Sequence, residues 1–224
     1  PGLKSPEYLA LNPQGKMPLL VLPCGTPIPE SDTISRFLLD EFKLEGPSFD
    51  PGSPLLRAKS DLAARLLDVY VTPNQGCLYK EMPAEERARG LKEIAFQLDA
   101  IEAVLSDEPG ARVCGSARSL SDSALFPTLC FLVDLLPAVY GWTLDDVFKN
   151  RPKLRAHWLE MSESDAAGKR VVAEMREGLK GWMDGGPRTW GSLRRSRPTR
   201  RRLLSFSRLF ASSLGTQRLR FPFA

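Results

Sequence analysis

Two short segments near the start of the sequence carry side chains that could bind a charged, extended ligand. In residues 15–18 (GKMP) a lysine supplies a cation, and the proline stands immediately before an apolar run that is typical of a strand. If the bond before Pro18 is cis, the backbone of Met17 faces outward and its N–H and C=O are free to pair with a ligand. The chemistry indicated here is backbone pairing beside a cation, Lys16, that attracts a carboxylate.

The second segment is Glu30–Ser31, where a helical pattern begins. A helix N-terminus offers unpaired N–H groups and a partial positive charge, and the Ser31 hydroxyl adds a donor, so the position suits a carboxylate. The Glu30 carboxylate would instead pair with an ammonium group. Each feature alone is more often structural, since a serine at a helix start usually caps that helix.

The elements that must position these segments are a hairpin and a helix. Residues 17–22 form a short apolar run, residues 23–26 (PCGT) a turn, and the chain from Pro27 to Pro29 resumes an extended pattern. Apolar residues then recur at helical spacing up to Phe42. Residues 43–54, with three prolines and two glycines, are predicted to be a linker.

Everything after the linker is helical in pattern. Apolar periodicity predicts helices over residues 55–71, 83–105, 119–136, 144–148, 152–161 and 165–182. The first of these places Leu62, Leu66, Leu67 and Tyr70 on one side. The sequence therefore predicts an α+β protein, in which a small mixed α/β fragment precedes an all-helical domain.

In their order and spacing these segments resemble the glutathione S-transferase family. Residues 7–20 (EYLALNPQGKMPLL) are similar to the family's segment leading to its cis-proline, and residues 29–34 (PESDTI) to its Glu-Ser motif. The resemblance covers about residues 4–182 and leans toward plant or algal members. It implies a partial thioredoxin-like domain over residues 1–42 and an all-helical carboxy-terminal domain over 55–182. Composition adds the linker over 43–54 between them and a basic tail, expected to be disordered, over 183–224.

The resemblance also implies roles for the site residues. Lys16 would contact the glycyl carboxylate of glutathione, and Met17 would pair through its backbone with the cysteinyl amide next to a cis bond at Pro18. Glu30 and Ser31 would hold the γ-glutamyl amine and carboxylate. Glutathione is thus the expected co-substrate, with a small electrophile as its partner and no metal.

The family's catalytic residue has no counterpart in this sequence. The chain begins with Pro1 and enters the thioredoxin-like pattern near its second helix, so we expect that residue to lie upstream of Pro1. Without its first two strands the sheet has an open edge and half a core, so we expect weak glutathione affinity and negligible conjugation from this chain alone. The leading hypothesis is a glutathione transferase. A non-catalytic binding or assembly module and a glutathione-dependent thiol reductase are the alternatives.

In the helical part, Ser119 and Asp122 resemble the family's capping box, in which each residue bonds the other's backbone. Arg118 stands where the family has an apolar staple residue. The electrophile pocket would be lined by Tyr70, Asn74, Tyr79 and Phe126, although core packing is the commoner use of such side chains.

Composition bears on whether the chain binds structural zinc, forms disulfides or spans a membrane. The four cysteines lie far apart and the sequence has one histidine, so neither structural zinc nor a disulfide framework is expected. The longest apolar stretch, residues 126–136, is broken by Pro127 and Asp134, so no membrane span is expected. From the resemblance we expect a homodimer, and we expect a cytoplasmic location, with a plastid as the alternative.

The net charge of +4 conceals a strong asymmetry. Residues 183–224 contain ten arginines, no lysine and one acidic residue, which gives this tail a net charge of +9. The other 182 residues have 21 basic and 26 acidic groups, a net charge of −5. Such a cationic run could bind nucleic acid or an anionic membrane, but like charges at this density repel and resist folding. A solvated, disordered extension without a role is therefore the favoured interpretation, and binding to nucleic acid is not expected.

Overall fold

The computed structural model describes residues 2–185. Pro1 and residues 186–224, and with them nearly all of the predicted basic tail, lie outside the described residues. In chain order the elements are α1 (Pro6–Leu11), β1 (Leu19–Val21), β2 (Pro27–Pro29), α2 (Ser31–Glu41), α3 (Pro54–Leu66), α4 (Gly76–Tyr79), α5 (Ala84–Val104), α6 (Leu120–Leu135), α7 (Leu144–Val147), α8 (Pro152–Leu159) and α9 (Ala166–Gly185). This order confirms the predicted α+β class, and both strands of the described chain lie within its first 29 residues.

β1 and β2 form the predicted hairpin. They pair antiparallel, with Leu19 opposite Pro29 and Val21 opposite Pro27. The turn between them is closed by Leu22 N–H, which donates to the Thr26 carbonyl at 2.9 Å. α2 follows β2 directly, and it begins and ends close to the predicted bounds.

This amino-terminal part has almost no buried interior. Within residues 2–59, only Asn12 and Gly15 are buried, and the apolar side chains of β1, β2 and α2 are half-buried or exposed. Arg36 links this part to the helices. Its Nε donates to Asp32 Oδ2 at 2.8 Å and its Nη2 to Asp61 Oδ1 of α3 at 2.7 Å. Both pairs are about half exposed, so they orient α2 more than they stabilise it.

The apolar core lies in the helical part, with α6 at its centre. α6 packs against α3 and α9, and its buried side chains include four leucines. With the wide turn that continues it, Leu120–Tyr140 is long and apolar enough to cross a membrane by length and composition alone. Half of its most apolar window is buried inside the protein, as in a core helix, so it indicates a membrane span only weakly.

α3 corrects one sequence expectation. Leu62 and Tyr70 do not share a buried side, because they are 49% and 45% exposed. The buried side carries Ala63 and Leu67 instead. Small residues let the α3 backbone approach α6 closely, and Ser60 Oγ donates to Ser121 Oγ there at 3.0 Å.

The predicted capping box at the start of α6 is present. Ser119 N–H donates to Asp122 Oδ2 at 2.8 Å, and Val113 N–H donates to Asp122 Oδ1 at 2.8 Å. In place of an apolar staple, Arg118 lies 3.4 Å from Asp165 Oδ2. The box therefore ties the preceding loop to α6 as well as capping the helix.

Candidate functional site

The proline bend is the first half of the site. The Met17–Pro18 peptide bond is cis, as the sequence analysis expects for a site of this kind. The Met17 side chain is 72% exposed, and its backbone N–H and C=O have no hydrogen-bond partner among residues 2–185. Lys16 is exposed, and its ammonium group has no ion-pair partner in the same part of the chain. The bend therefore offers one cation and an unpaired backbone.

The start of α2 is the second half. Glu30 has φ +72° and ψ +121°, a left-handed backbone conformation that costs a non-glycine residue of order 1–3 kcal/mol. Such strain is concentrated at functional sites. The Glu30 side chain makes no capping bond, and neither it nor the Ser31 hydroxyl has a side-chain partner within the described chain. Ser31 is the first residue of the helix, so its neighbouring N–H groups are unpaired.

The hairpin register brings the two halves together. Leu19 lies opposite Pro29, so continuing the antiparallel pairing by one residue sets Pro18 beside Glu30. Neighbouring strands are about 4.8 Å apart. The predicted residues Lys16, Met17, Pro18, Glu30 and Ser31 therefore lie at one end of the hairpin, and the turn lies at the other end. The arrangement can bind an extended molecule that carries groups of both charges.

Asp68 is an acidic neighbour of this site that sequence reasoning missed. Burial raises the pKa of the Asp68 carboxyl, and the nearby negative charges of Asp32 and Glu30 raise it further, against the opposing charge of Arg65. Asp68 lies in the wide turn after α3, 38 residues beyond Glu30. No local pattern could have connected the two residues, because their electrostatic interaction depends on how α3 lies relative to α2.

The cysteines do not join the site. Cys24 is exposed in the hairpin turn, at the far end from Pro18, and the Thr26 hydroxyl lowers the pKa of its thiol. Burial raises the pKa of the Cys77 thiol to about 11 and that of Cys130 to about 12. Burial also raises the pKa of Cys114. The three buried thiols are therefore protonated at neutral pH and serve as small core residues.

Two of the four predicted pocket residues are packing residues. Phe126 is 2% exposed, and its ring lies 5.6 Å from that of Trp158. A side chain this buried belongs to the core, which corrects the prediction for Phe126. Tyr79 packs edge-on against Phe131 and Trp182, with ring centres 6.0 Å and 5.2 Å away.

Tyr70 and Asn74 lie close together in the turns that follow α3. Asn74 Nδ2 donates to the Tyr70 carbonyl at 2.7 Å, and the Tyr70 ring is 45% exposed. These two residues stay a prediction for an electrophile-binding surface. Within residues 2–185, no three His, Cys, Asp or Glu side chains converge in a way that could hold a metal ion.

Comparison with known proteins supports the family resemblance. Residues 1–41 match the family model described as the glutathione S-transferase N-terminal domain. Glutathione S-transferase F10 of Arabidopsis thaliana is 29% identical, and the match covers 76% of this chain and 80% of that protein.

Solved structures agree on the fold. Glutathione transferase F7 of Populus trichocarpa matches with a TM-score of 0.61 at 23% identity, over 77% of this chain and 81% of its own. A glutathione transferase homologue from sulfitobacter, with bound glutathione, matches with a TM-score of 0.54 at 22% identity, over 79% of this chain and 80% of its own. These matches confirm the resemblance indicated by the two motifs, and with it a thioredoxin-like part followed by a helical domain.

Proposed function

We propose that this chain, which resembles the glutathione S-transferases in its amino-terminal sequence and its fold, binds glutathione at the hairpin end and serves its conjugation to small electrophiles. One observation carries the proposal: the register sets the bend at Pro18 beside Glu30, and the groups on both sides have no partner among residues 2–185. The relative from sulfitobacter, which carries bound glutathione, supports the choice of ligand.

The chemistry of glutathione matches these groups one by one. The tripeptide has an ammonium group, two carboxylates and an amide spine. Glu30 would pair with the ammonium, while Ser31 and the α2 N-terminus would receive the γ-glutamyl carboxylate. Met17 would pair with the cysteinyl amide, and Lys16 with the glycyl carboxylate. Together these contacts would leave the cysteinyl sulfur facing away from the hairpin, where an electrophile could approach.

In the proposed reaction the glutathione thiol loses its proton, and the thiolate forms a carbon–sulfur bond as the electrophile expels its leaving group. Tyr70 and Asn74 are the residues that we assign to the electrophile side. We name no residue of this chain as the group that activates the thiol. The residues described above carry the binding part of the reaction.

The thiol reductase alternative receives no support from Cys24. Cys24 is the exposed cysteine of the described chain, but it lies in the turn at the opposite end of the hairpin from Pro18 and Glu30. Three residues of strand separate the two ends, roughly 10 Å. A disulfide between Cys24 and a glutathione bound at the bend would require the ligand to leave its proposed position.

We expect Ser31→Ala to raise the glutathione dissociation constant about fivefold, because the ligand carboxylate loses one hydroxyl donor. Isothermal titration of the full 224-residue chain measures this change. Thr33→Ala is the matched control, since Thr33 is exposed on the same turn of α2 and its hydroxyl makes no hydrogen bond within the described chain. Equal affinities of the two variants would contradict the role of Ser31.

Absence of glutathione binding to the unsubstituted chain would overturn the proposal itself. Turnover of a chromogenic aryl halide would indicate a transferase. Binding of a partner protein without binding of glutathione would instead indicate a non-catalytic module.

We also propose, from the resemblance, that the chain forms a homodimer. Three large apolar side chains on the neighbouring helices α3 and α5 support this, because Leu55, Leu62 and Phe96 are 69%, 49% and 58% exposed. Light scattering should give about twice the chain mass of 24.9 kDa. A mass equal to that of one chain would contradict the proposal.

A further inference from the structure

The carbonyl group of Lys16 is held by two side chains. Tyr8 Oη donates to it at 2.6 Å, and Asn12 Nδ2 donates to it at 2.8 Å. Tyr8 lies in the middle of α1, and Asn12 is the residue that ends it. A carbonyl oxygen has two lone pairs, so these two donors satisfy it fully.

Asn12 is buried, and its polar groups hold the loop that contains Lys16. It is 2% exposed, in a part of the protein where no apolar side chain is buried. Its Oδ1 accepts from Gln14 N–H at 3.2 Å, and its carbonyl accepts from Gly15 N–H at 2.9 Å. Buried polar groups normally have hydrogen-bond partners. Here a single asparagine bonds the loop through its side-chain amide, its side-chain oxygen and its backbone carbonyl. The loop before the bend is therefore organised by hydrogen bonds, not by apolar packing.

Holding the Lys16 carbonyl also sets the direction of the next N–H. The Lys16–Met17 peptide bond is trans and planar, so its C=O and N–H point in opposite directions. The C=O points toward Tyr8 and Asn12. The N–H of Met17 must therefore point away from α1, and it has no partner among residues 2–185.

We infer that Tyr8 and Asn12 are positioning residues that orient the Met17 amide for an extended ligand. This inference rests on the proposed function, because the ligand is the glutathione that Met17 would pair with. Neither side chain contacts the ligand. They act through the peptide plane and fix the donor before binding, which lowers the entropy cost of the backbone pairing.

We expect Tyr8→Phe, which removes only the hydroxyl, to raise the glutathione dissociation constant about threefold. Asn12→Asp keeps the acceptor for Gln14 N–H and replaces the donor to Lys16 with a negatively charged oxygen, so we expect about a tenfold increase. Gln14→Ala is the matched control, since its exposed side chain lies in the same loop and makes no hydrogen bond within the described chain. Titration calorimetry gives the affinities, and thermal unfolding shows that each variant is folded.

A second measurement separates positioning from a general structural effect. In the ¹⁵N-labelled chain, glutathione should shift the amide signals of both Met17 and Ser31. In Tyr8→Phe the shift at Met17 should decrease at saturating glutathione, while the shift at Ser31 stays as in the unsubstituted chain.

The outcomes distinguish this inference from the proposed function. If Tyr8→Phe and Asn12→Asp match Gln14→Ala in affinity and in the Met17 shift, the positioning role is overturned and glutathione binding stands. If the Met17 and Ser31 signals of the unsubstituted chain do not respond to glutathione, the proposed function fails and the positioning role fails with it.

Discussion

Asp122→Ala should destabilise the protein by about 4 kcal/mol, because the substitution leaves two buried N–H groups without acceptors. Asp122 is 3% exposed, and its two oxygens accept from Val113 N–H and Ser119 N–H, each at 2.8 Å. The Ser119 hydroxyl donates to the same carboxylate at 2.9 Å. Both donors are buried, so each retains its desolvation cost once the carboxylate is removed. The midpoint of thermal unfolding should fall by about 10 °C.

The chain offers a matched control for Asp122→Ala. Thr143 and Asp146 form a second capping box of the same geometry at the start of α7, where Thr143 N–H donates to Asp146 Oδ2 at 2.7 Å. That box is exposed, so water replaces the lost carboxylate and Asp146→Ala should cost only about 1 kcal/mol. Equal losses in the two variants would show that burial does not set the cost. Asp122→Asn, which keeps one acceptor oxygen, should give an intermediate loss.

The local elements of the fold could be predicted from the sequence because their signals lie within a few residues. The hairpin follows from the prolines and turn residues between Met17 and Pro29, and the box at Ser119 from its spacing to Asp122. α5 runs from Ala84 to Val104, one residue inside the predicted bounds at each end. These features depend on backbone preference and short-range hydrogen bonds, which the residues themselves specify.

The buried side of α3 could not be predicted in the same way. Apolar periodicity favours the larger side chains, including Leu62 and Tyr70, whereas the structure buries Ser60 and Ala63. The choice is made by α6, whose close approach requires small residues on α3. The sequence pattern of one helix carries no information about the surface of the neighbouring helix. Which side of α3 is buried is therefore decided by tertiary packing.

The two halves of the site were predictable, but the groups that support them were not. Lys16, Pro18 and Glu30 stand in short motifs. The bend is supported by hydrogen bonds from the Tyr8 and Asn12 side chains to a backbone carbonyl. Such bonds produce no periodic pattern in the sequence. The strain at Glu30 is equally invisible, because the sequence does not show a positive φ at a glutamate.

His157 could not be interpreted from the sequence, where it stands alone, and its surroundings lead to the second large effect. It is fully buried, and its Nδ1 lies 3.0 Å from the Ala111 carbonyl and 3.7 Å from Asp122 Oδ1. Its Nε2 is a buried side-chain atom without a hydrogen-bond partner among the described residues. The ring is therefore neutral, with the proton on Nδ1 facing the carbonyl.

Burial lowers the pKa of His157, against the raising effects of the Asp122 charge, the Ala111 carbonyl and Glu160, while Arg112 lowers it further. The unfolded chain has the ordinary histidine pKa of about 6.5, so below that pH the unfolded state binds a proton that the folded state does not. Stability is therefore fully present above pH 6.5 and decreases as the pH falls. The loss is about 1.4 kcal/mol for each pH unit while His157 stays neutral in the folded protein.

Between pH 7 and pH 5 we therefore expect the free energy of unfolding to fall through this one side chain. Urea denaturation at a series of pH values measures it, and His157 is the single histidine of the sequence. His157→Asn keeps a donor for the Ala111 carbonyl but does not titrate, so its stability should decrease much less over the same range. The raised pKa of Asp68 acts with the opposite sign, since a folded state that binds its proton more tightly gains stability as the pH falls. If the free energy of unfolding of His157→Asn decreases as steeply as that of the unsubstituted chain, His157 is not the group whose protonation opposes folding.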